Sequence, residues 1–504
     1  MKLKILENKF LFFIIFIYVG ILLSLLTWGL PGSERVFTYH MDEWHQFKSI
    51  VGLWQHGSNN ISGAANGPSA QFILSGIYLL PFILIGFIKP HMLTAVTNLE
   101  MQRRLFEVLR LNTLVFGIGT IYVLYLILKK NFKVNPIYGL TFFTFSPSFL
   151  ILSNYFKYDI ALIFWILLAL KLMLEKRTIT VGIVTGLALA TKISALPLVG
   201  VYILSYLLYK NWRKNIQELF WGLAGLFLVF VFLGIPDVLL GLADYGQYKE
   251  FFKSNLITEP NLTANIKLNL SWWLYLLIIR FPMNLGYGLI VGIVGVMAKG
   301  RETLNKNWKL ITWGLILFFL SILPLKLAAI GNRTLVLLPF MAILVGYYFS
   351  KLKSKLGKTI AIFLAFIQIG SSLYLISPKW KVDPRQASSV WLNNHVILGT
   401  KIGLENNPIY EMIPDVLLKD YYSQQYGLKN QAKYQYQIID AKSEKLPSVV
   451  VVINHDQAEK YKQSSKSDLI NRLKQENYQE MASFKQQAIE FDYIPSIISV
   501  FIKK

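Results

Sequence analysis

Long apolar runs separated by short basic stretches fill most of the chain. Residues 10–30, 111–128, 310–325 and 360–376 are almost continuously apolar. Roughly 18 such residues in a helix cross a hydrocarbon core of about 30 Å. Only a structure that satisfies its own backbone hydrogen bonds survives there. The pattern predicts spans near 10–30, 110–128, 135–152, 160–175, 178–191, 195–209, 217–235, 285–299, 310–325, 334–350 and 358–377. That is a mainly α, polytopic membrane bundle of about eleven spans.

After residue 377 the pattern changes to a polar one, rich in Lys, Gln, Tyr and Asn. Residues 384–394 read as an amphipathic helix, 401–404 as a short strand, 448–454 as a buried strand, 467–476 as a helix and 496–502 as a last strand. Strands alternating with helices predict a small α/β domain over 378–504, following a membrane domain over 1–377.

Charge gives the bundle a direction. The 504 residues carry 51 Lys and Arg against 28 Asp and Glu, a net charge of +23. The basic residues gather between spans, at 129–133, 176–177, 210–214, 299–309 and 351–358. Such placement marks cytoplasmic loops and argues against nucleic acid as a partner. An odd number of crossings then sends 378–504 to the outer side of the cell membrane, with the N-terminus cytoplasmic. The apolar run 71–88 breaks this scheme, because a crossing there would flip every later loop. Pro81 sits within it, and it is expected to lie on the outer surface or to re-enter. The first run follows a basic start, is too long for a signal-peptide core and lacks a small-x-small cleavage site, so a retained signal anchor is expected. With no cysteine in the chain, disulfides and Cys-ligated metals are excluded.

Two outer loops, 31–109 and 236–284, are long enough to be functional. The second holds Trp272, Trp273, Tyr275 and Arg280, which suit a headgroup interface. It also holds Asp237, Asp244, Glu250 and Glu259, which match no motif. No internal repeat is evident, which weighs against an inverted-repeat transporter.

Three sets of residues could carry chemistry. The first lies just past the first span, where Asp42 and Glu43 are followed by Trp44 and His45. A carboxylate there can act as general base toward an acceptor hydroxyl. On a helix Asp42 and His45 would share a face, which also permits metal ligation; the alternative is a solvated turn. The second is Lys157 and Asp159, at the mouth of two apolar helices. The lysine there can be simple snorkelling, whereas an acid entering a span points to function. The third is a set of cations at outer helix ends: Arg110, Lys192 and Arg333, with Lys326 nearby. Together they would neutralise a phosphate or diphosphate; singly, each could be an interfacial anchor.

These features follow one another in a familiar order. Asp42-Glu43 comes first, then Gly67-Pro68 opening an apolar outer segment, then Arg110 before a span ending in Lys129-Lys130. Phe145-Ser146-Pro147 with Tyr155 to Asp159 comes next, then Gly186 to Lys192, and last Asn332-Arg333-Thr334 running to Pro339. Over roughly residues 10–377 the chain resembles the GT-C superfamily of membrane glycosyltransferases. Within it the likeness is to glycosyltransferase family 39, which includes protein O-mannosyltransferases and the aminoarabinose transferases of lipid A. Two departures, Gly67 where the family often has Pro and Thr334 where it has Tyr, bear on the acceptor more than on the fold.

The resemblance implies an inverting transfer of a hexosyl or pentosyl group from a polyprenyl-phosphate donor. The acceptor would be a protein, lipid or polysaccharide at the outer or lumenal face. It implies Asp42 as general base, with Glu43 and Asp159 orienting the acceptor. Asp42 or Asp159 could instead ligate a divalent metal such as Mg or Mn. Lys192, Arg333 and Arg110 would hold the lipid phosphate, with Lys157 and His45 as further substrate contacts. It also implies outer juxtamembrane helices, which would account for 71–88. The alternative function is a lipid or polysaccharide flippase or transporter, which calls for ionisable residues in mid-membrane; here they cluster at helix ends. A third reading is a scaffold that presents the C-terminal domain outside. Sequons at Asn60, Asn261 and Asn332 matter only in a host that N-glycosylates.

Overall fold

A computed structural model describes residues 2–33, 35–56, 70–92, 98–209, 216–239, 270–299, 306–322, 331–404, 413–425, 432–454, 465–486 and 497–504. Gly67-Pro68, the basic turn 210–214, Lys326, Asp244, Glu250, Glu259, Asn60 and Asn261 lie outside the described residues. The chain divides into two compact units. The first comprises Met1–Leu26, His45–Pro90 and Glu107–Ile376. The second comprises Thr27–Trp44, His91–Phe106 and Ser377–Lys504, and so adds two early segments to the expected C-terminal domain.

The first unit is helical. Each run expected to span contains a helix, among them Lys2–Ser24, Leu99–Leu126, Tyr158–Leu174, Thr178–Thr191, Pro197–Tyr209 and Lys355–Ile376. The run 71–88 also forms a helix, Ala70–Leu84, with Pro81 inside it. Among the described residues, Leu99–Asn131, Ile216–Gly234, Asn332–Ser350 and Lys355–His395 contain stretches long and apolar enough to cross a bilayer. Phe220, Trp221, Phe227 and Leu228 on one of these helices are exposed, as side chains facing lipid tails are. The chain is a multi-pass membrane protein.

One expected span is broken. Residues 135–152 form two helices, Ile137–Thr144 and Pro147–Ser153. Ser146 between them is extended, at φ −75° and ψ 129°. The cause is Pro147, whose ring excludes the residue before it from the helical region but is itself well placed at the first helical position. A second break lies at Gly286, whose φ of +103° strongly favours glycine. There Trp273–Leu285 and Tyr287–Met297 meet at a bend of 118°.

Breaks leave carbonyls and amides without helical partners, and in an apolar bundle side chains must replace them. Gln368, buried on Lys355–Ile376, serves both breaks. Its Nε2 donates to Phe145 O and Leu285 O, each at 2.9 Å, and lies 3.3 Å from Phe142 O. Its Oε1 accepts from Leu289 N at 3.0 Å. Ser372 Oγ donates to Phe145 O as well, and Ser148 Oγ donates to Asn284 O at 2.6 Å. Elsewhere Thr178–Thr191 crosses Ile216–Val229 so closely that a Cβ on Gly182 would overlap the Gly222 carbonyl, the close backbone approach that small residues allow in membranes.

The second unit is built on a five-stranded sheet of order β2-β1-β3-β5-β4. Its strands are β1 (Lys401–Leu404), β2 (Gln435–Ile438), β3 (Val449–Asn454), β4 (Tyr478–Lys485) and β5 (Ile497–Lys503). β1 runs parallel to β2 and β3, whereas β5 is antiparallel to β3 and β4. Central β3 buries Val449, Val450, Val451 and Val452, as a strand covered on both faces does. Val450 and Val452 pack with Leu469, Leu473, Tyr478 and Phe501.

The early segment of this unit is tied in by charge. Arg35 and Arg385 place their guanidinium carbons 3.4 and 3.5 Å from the Tyr39 ring centroid. Two groups that close cannot share one face, so the ring is clamped between them. Arg35 Nη2 bonds Asp415 Oδ1 at 2.5 Å. Arg385 holds both oxygens of Asp383 at 2.7 Å, through Nε and Nη2. Asp383 also caps helix Pro384–His395 by accepting from Arg385 N. Tyr39 donates to Asp415 Oδ2 at 3.3 Å; burial, reinforced by Asp383 and Asp415, pushes its phenol up and keeps it a donor.

Gln368→Leu takes a partner from four buried backbone groups, of which Phe145 O keeps Ser372, at about 1–3 kcal/mol for each one left unmet. It is expected to destabilise the protein by at least about 3 kcal/mol, read as a lower melting temperature in detergent; an unchanged one would show that these groups find other partners.

Candidate functional site

In the first unit the segment 154–159 joins helix Pro147–Ser153 to helix Tyr158–Leu174. Lys157 caps the second helix in an extended conformation, and Asp159 sits in its first turn. A carboxylate is favoured there by the unpaired N–H groups and the helix dipole. Lys192 caps the C-terminal end of Thr178–Thr191, where the dipole favours a cation.

The fold brings these ends together. Lys192 Nζ donates to Asp159 Oδ1 at 2.7 Å, and Lys157 Nζ stands 3.7 Å from Oδ2. Lys192 Nζ also lies 4.5 Å from the Tyr158 ring centroid, a cation–π contact. All three charged side chains are buried. Arg333, on the short helix Gly331–Thr334, is near enough for its charge to act on Lys192. Three cations on three separate elements therefore converge where helices end. Charged N–H donors grouped in this way recognise phosphate.

Arg110 meets the same segment at its other end. Its guanidinium carbon is 5.7 Å from the Tyr155 ring centroid, and its Nη1 donates to Leu26 O at 2.7 Å. Asn154 Nδ2 donates to Leu25 O at 2.9 Å. A small cleft lined by Leu22, Leu26, Leu114 and Asn154 adjoins Arg110.

Asp42 and Glu43 occupy the first turn of helix Met41–His56, and their part of it belongs to the second unit. Asp42 N donates to His40 Nδ1 at 3.2 Å, and Glu43 N to His40 O. Glu43 is fully buried, Asp42 is partly exposed and His45 is exposed. Of the two acids only Asp42 is reached by solvent.

A metal at Asp159 does not fit this arrangement. Both its oxygens face lysines, whose charge repels a divalent cation. Among the described residues no group of three His, Asp or Glu side chains is arranged to hold a metal. Sequence reasoning missed Tyr158 as a partner of Lys192, although it is adjacent to Asp159. It also missed Arg35, Tyr39, Asp383, Arg385 and Asp415, which are joined across 380 residues with no local signal.

The chain is similar in structure to ArnT from Cupriavidus metallidurans bound to undecaprenyl phosphate, at 12% identity and a TM-score of 0.51, with 98% of each chain covered. The same protein in the apo state matches at 12% identity and 0.50, again over 98% of both chains. Arabinofuranosyltransferase AftD from Mycobacteria is similar at 11% identity and 0.46, over 98% of this chain and 40% of that one. The chain thus spans well under half of AftD's length. No protein-family model and no curated protein sequence matches the chain. The likeness to ArnT covers the broken apolar helices as well as the small mixed sheet, and it shows that the chain has a fold similar to that of ArnT.

Proposed function

We propose that the chain is a membrane glycosyltransferase of the family 39 type, taking a sugar from a polyprenyl-phosphate donor. The observation that carries this reading is the meeting of Lys157 and Lys192 at Asp159, with Arg333 near enough for its charge to act on Lys192, in a protein whose fold is similar to that of ArnT. The undecaprenyl phosphate bound to ArnT supports the donor class. An acceptor hydroxyl attacks the anomeric carbon of the sugar, the bond from that carbon to the phosphate oxygen breaks, and polyprenyl phosphate leaves with inversion. Negative charge grows on the leaving phosphate, where fixed cations stabilise the transition state most. Asp42 takes the acceptor's proton and passes it to water. Glu43 orients that end of the helix, and Asp159 holds Lys192 and Lys157 in place for the phosphate. Arg110 contacts the lipid side of the donor, and His45 the acceptor.

The reaction faces outward in this reading. The N-terminus is cytoplasmic, the C-terminal domain is outside, and 71–88 does not cross. Sugar and acceptor (protein, lipid or glycan) follow from the assay below.

Purified protein is to be assayed with undecaprenyl phosphate carrying mannose, glucose or arabinose, and with envelope extract from a deletion strain as acceptor. Asp42→Asn is expected to lower turnover about 10²–10⁴-fold, as loss of a general base does, while undecaprenyl phosphate still binds. Lys192→Met and Arg333→Met are expected to weaken undecaprenyl phosphate binding roughly 10- to 100-fold, the scale of a charged hydrogen bond. Absence of transfer from every donor, with full complementation by Asp42→Asn, sinks the reading.

The chain has no cysteine, so single-cysteine variants report topology cleanly. Lys130→Cys is expected to resist an impermeant thiol reagent in intact cells, and labelling from outside overturns the orientation.

A further inference from the structure

A tyrosine set among four buried charges, Arg35, Asp383, Arg385 and Asp415, lies just before the acid that the proposed reaction uses. Tyr39 is three residues from Asp42. The link between them is short and held by hydrogen bonds: Thr38 Oγ1 donates to His40 O at 2.9 Å, and His40 Nδ1 accepts from Asp42 N. Tyr39 N is held by Gly29 O at 2.9 Å. On the other side of the clamp, Arg385 and Asp415 belong to helices Pro384–His395 and Asp415–Gln425. Those two helices are pinned to each other, since Val416 N donates to Ser389 Oγ at 3.1 Å. The edge contact of Phe37 with Trp44, at 4.5 Å between centroids, closes the strap over the helix start.

We infer that the C-terminal domain sets the position of Asp42 through Tyr39, with Arg35, Arg385 and Asp415 as positioning residues. The inference rests on the reading of Asp42 as the base. An apolar cluster would hold the strap as firmly, because buried ion pairs add little stability over well-packed apolar groups. What the clamp adds is orientation. A ring between two guanidiniums, with its hydroxyl bonded to Asp415, can neither slide nor rotate. A base displaced by about 1 Å can lose about 10²-fold in rate.

The test uses the full-length protein. Tyr39→Leu removes the clamped ring, whereas Tyr39→Phe keeps it and loses only the hydroxyl. In the donor assay above, Tyr39→Leu is expected to lower kcat roughly 10- to 100-fold with donor KM unchanged. Tyr39→Phe is expected to restore most of the rate, and Tyr39→Leu is expected to add no loss to Asp42→Asn. A parallel readout is independent of activity: in this cysteine-free chain Asp42→Cys is labelled by a soluble maleimide. Tyr39→Leu is expected to change that labelling rate about tenfold or more, and Tyr39→Phe to leave it unchanged. An unchanged labelling rate in Tyr39→Leu overturns the inference, as does a loss of kcat no larger than the loss of folded protein. Full activity of Asp42→Asn defeats the base reading instead, and the labelling rate then decides by itself whether the clamp positions residue 42.

Discussion

A helix that breaks inside an apolar bundle frees carbonyls and amides where no water can reach them, and this chain breaks its helices repeatedly. Everything near the candidate site depends on how those groups are met. Gln368 takes Phe145 O and Leu285 O with one amide nitrogen and gives its oxygen to Leu289 N. A single side chain thereby holds the interruption before Pro147 against the bend at Gly286. Arg110 and Asn154 do the same for the last carbonyls after the first helix, at Leu26 and Leu25. The short helix Pro147–Ser153, set between these two seals, fixes where the segment 154–159 begins.

The charged site uses the same helix ends in a second way. Asp159 stands at the start of one helix and Lys192 at the end of another. Each therefore carries the sign that its own helix dipole favours. Their 2.7 Å contact joins two ends that would otherwise need separate caps. Burying that pair is costly unless the geometry is good and further hydrogen bonds are made. Tyr158 and Lys157, neighbours of Asp159 in sequence, supply two of the added contacts. The proposed reaction would require cations fixed before the substrate arrives, and helix ends fix them without relying on a flexible loop.

Much of this was readable in the chain. Apolar runs located the helices, and strands β1, β3 and β5 were foreseen because the sheet buries them. β2 and β4 were not, and the strand order gives the reason. They lie at the two edges, where their residues are largely exposed and their sequences, QYQI and YQEMASFK, show no apolar alternation. The break before Pro147 was missed because hydropathy carries no sign of backbone conformation, although Ser146-Pro147 was itself the signal. Asp159, Lys192 and Arg333 were picked out because charge is rare among apolar helices. The clamp on Tyr39 was invisible, since Arg35 and Asp415 look like ordinary surface residues until 380 positions of chain are folded away between them.

That long closure bears on why the second unit uses buried ions at all. Bringing residues so far apart together costs chain entropy, though it grows only slowly with loop length, and apolar contacts could offset it. Apolar contacts, however, are tolerant of small shifts, whereas a bidentate Arg385–Asp383 pair and a ring held between two guanidiniums admit one arrangement. Arg35 and Arg385 carry two positive charges, and Asp383 and Asp415 two negative ones, so the cluster is balanced only when every member is present. A segment in another register would leave at least one charge buried and unmatched, at several kcal/mol. The cluster therefore penalises wrong arrangements more than it stabilises the right one, and this selectivity suits a strap that leads directly into Asp42.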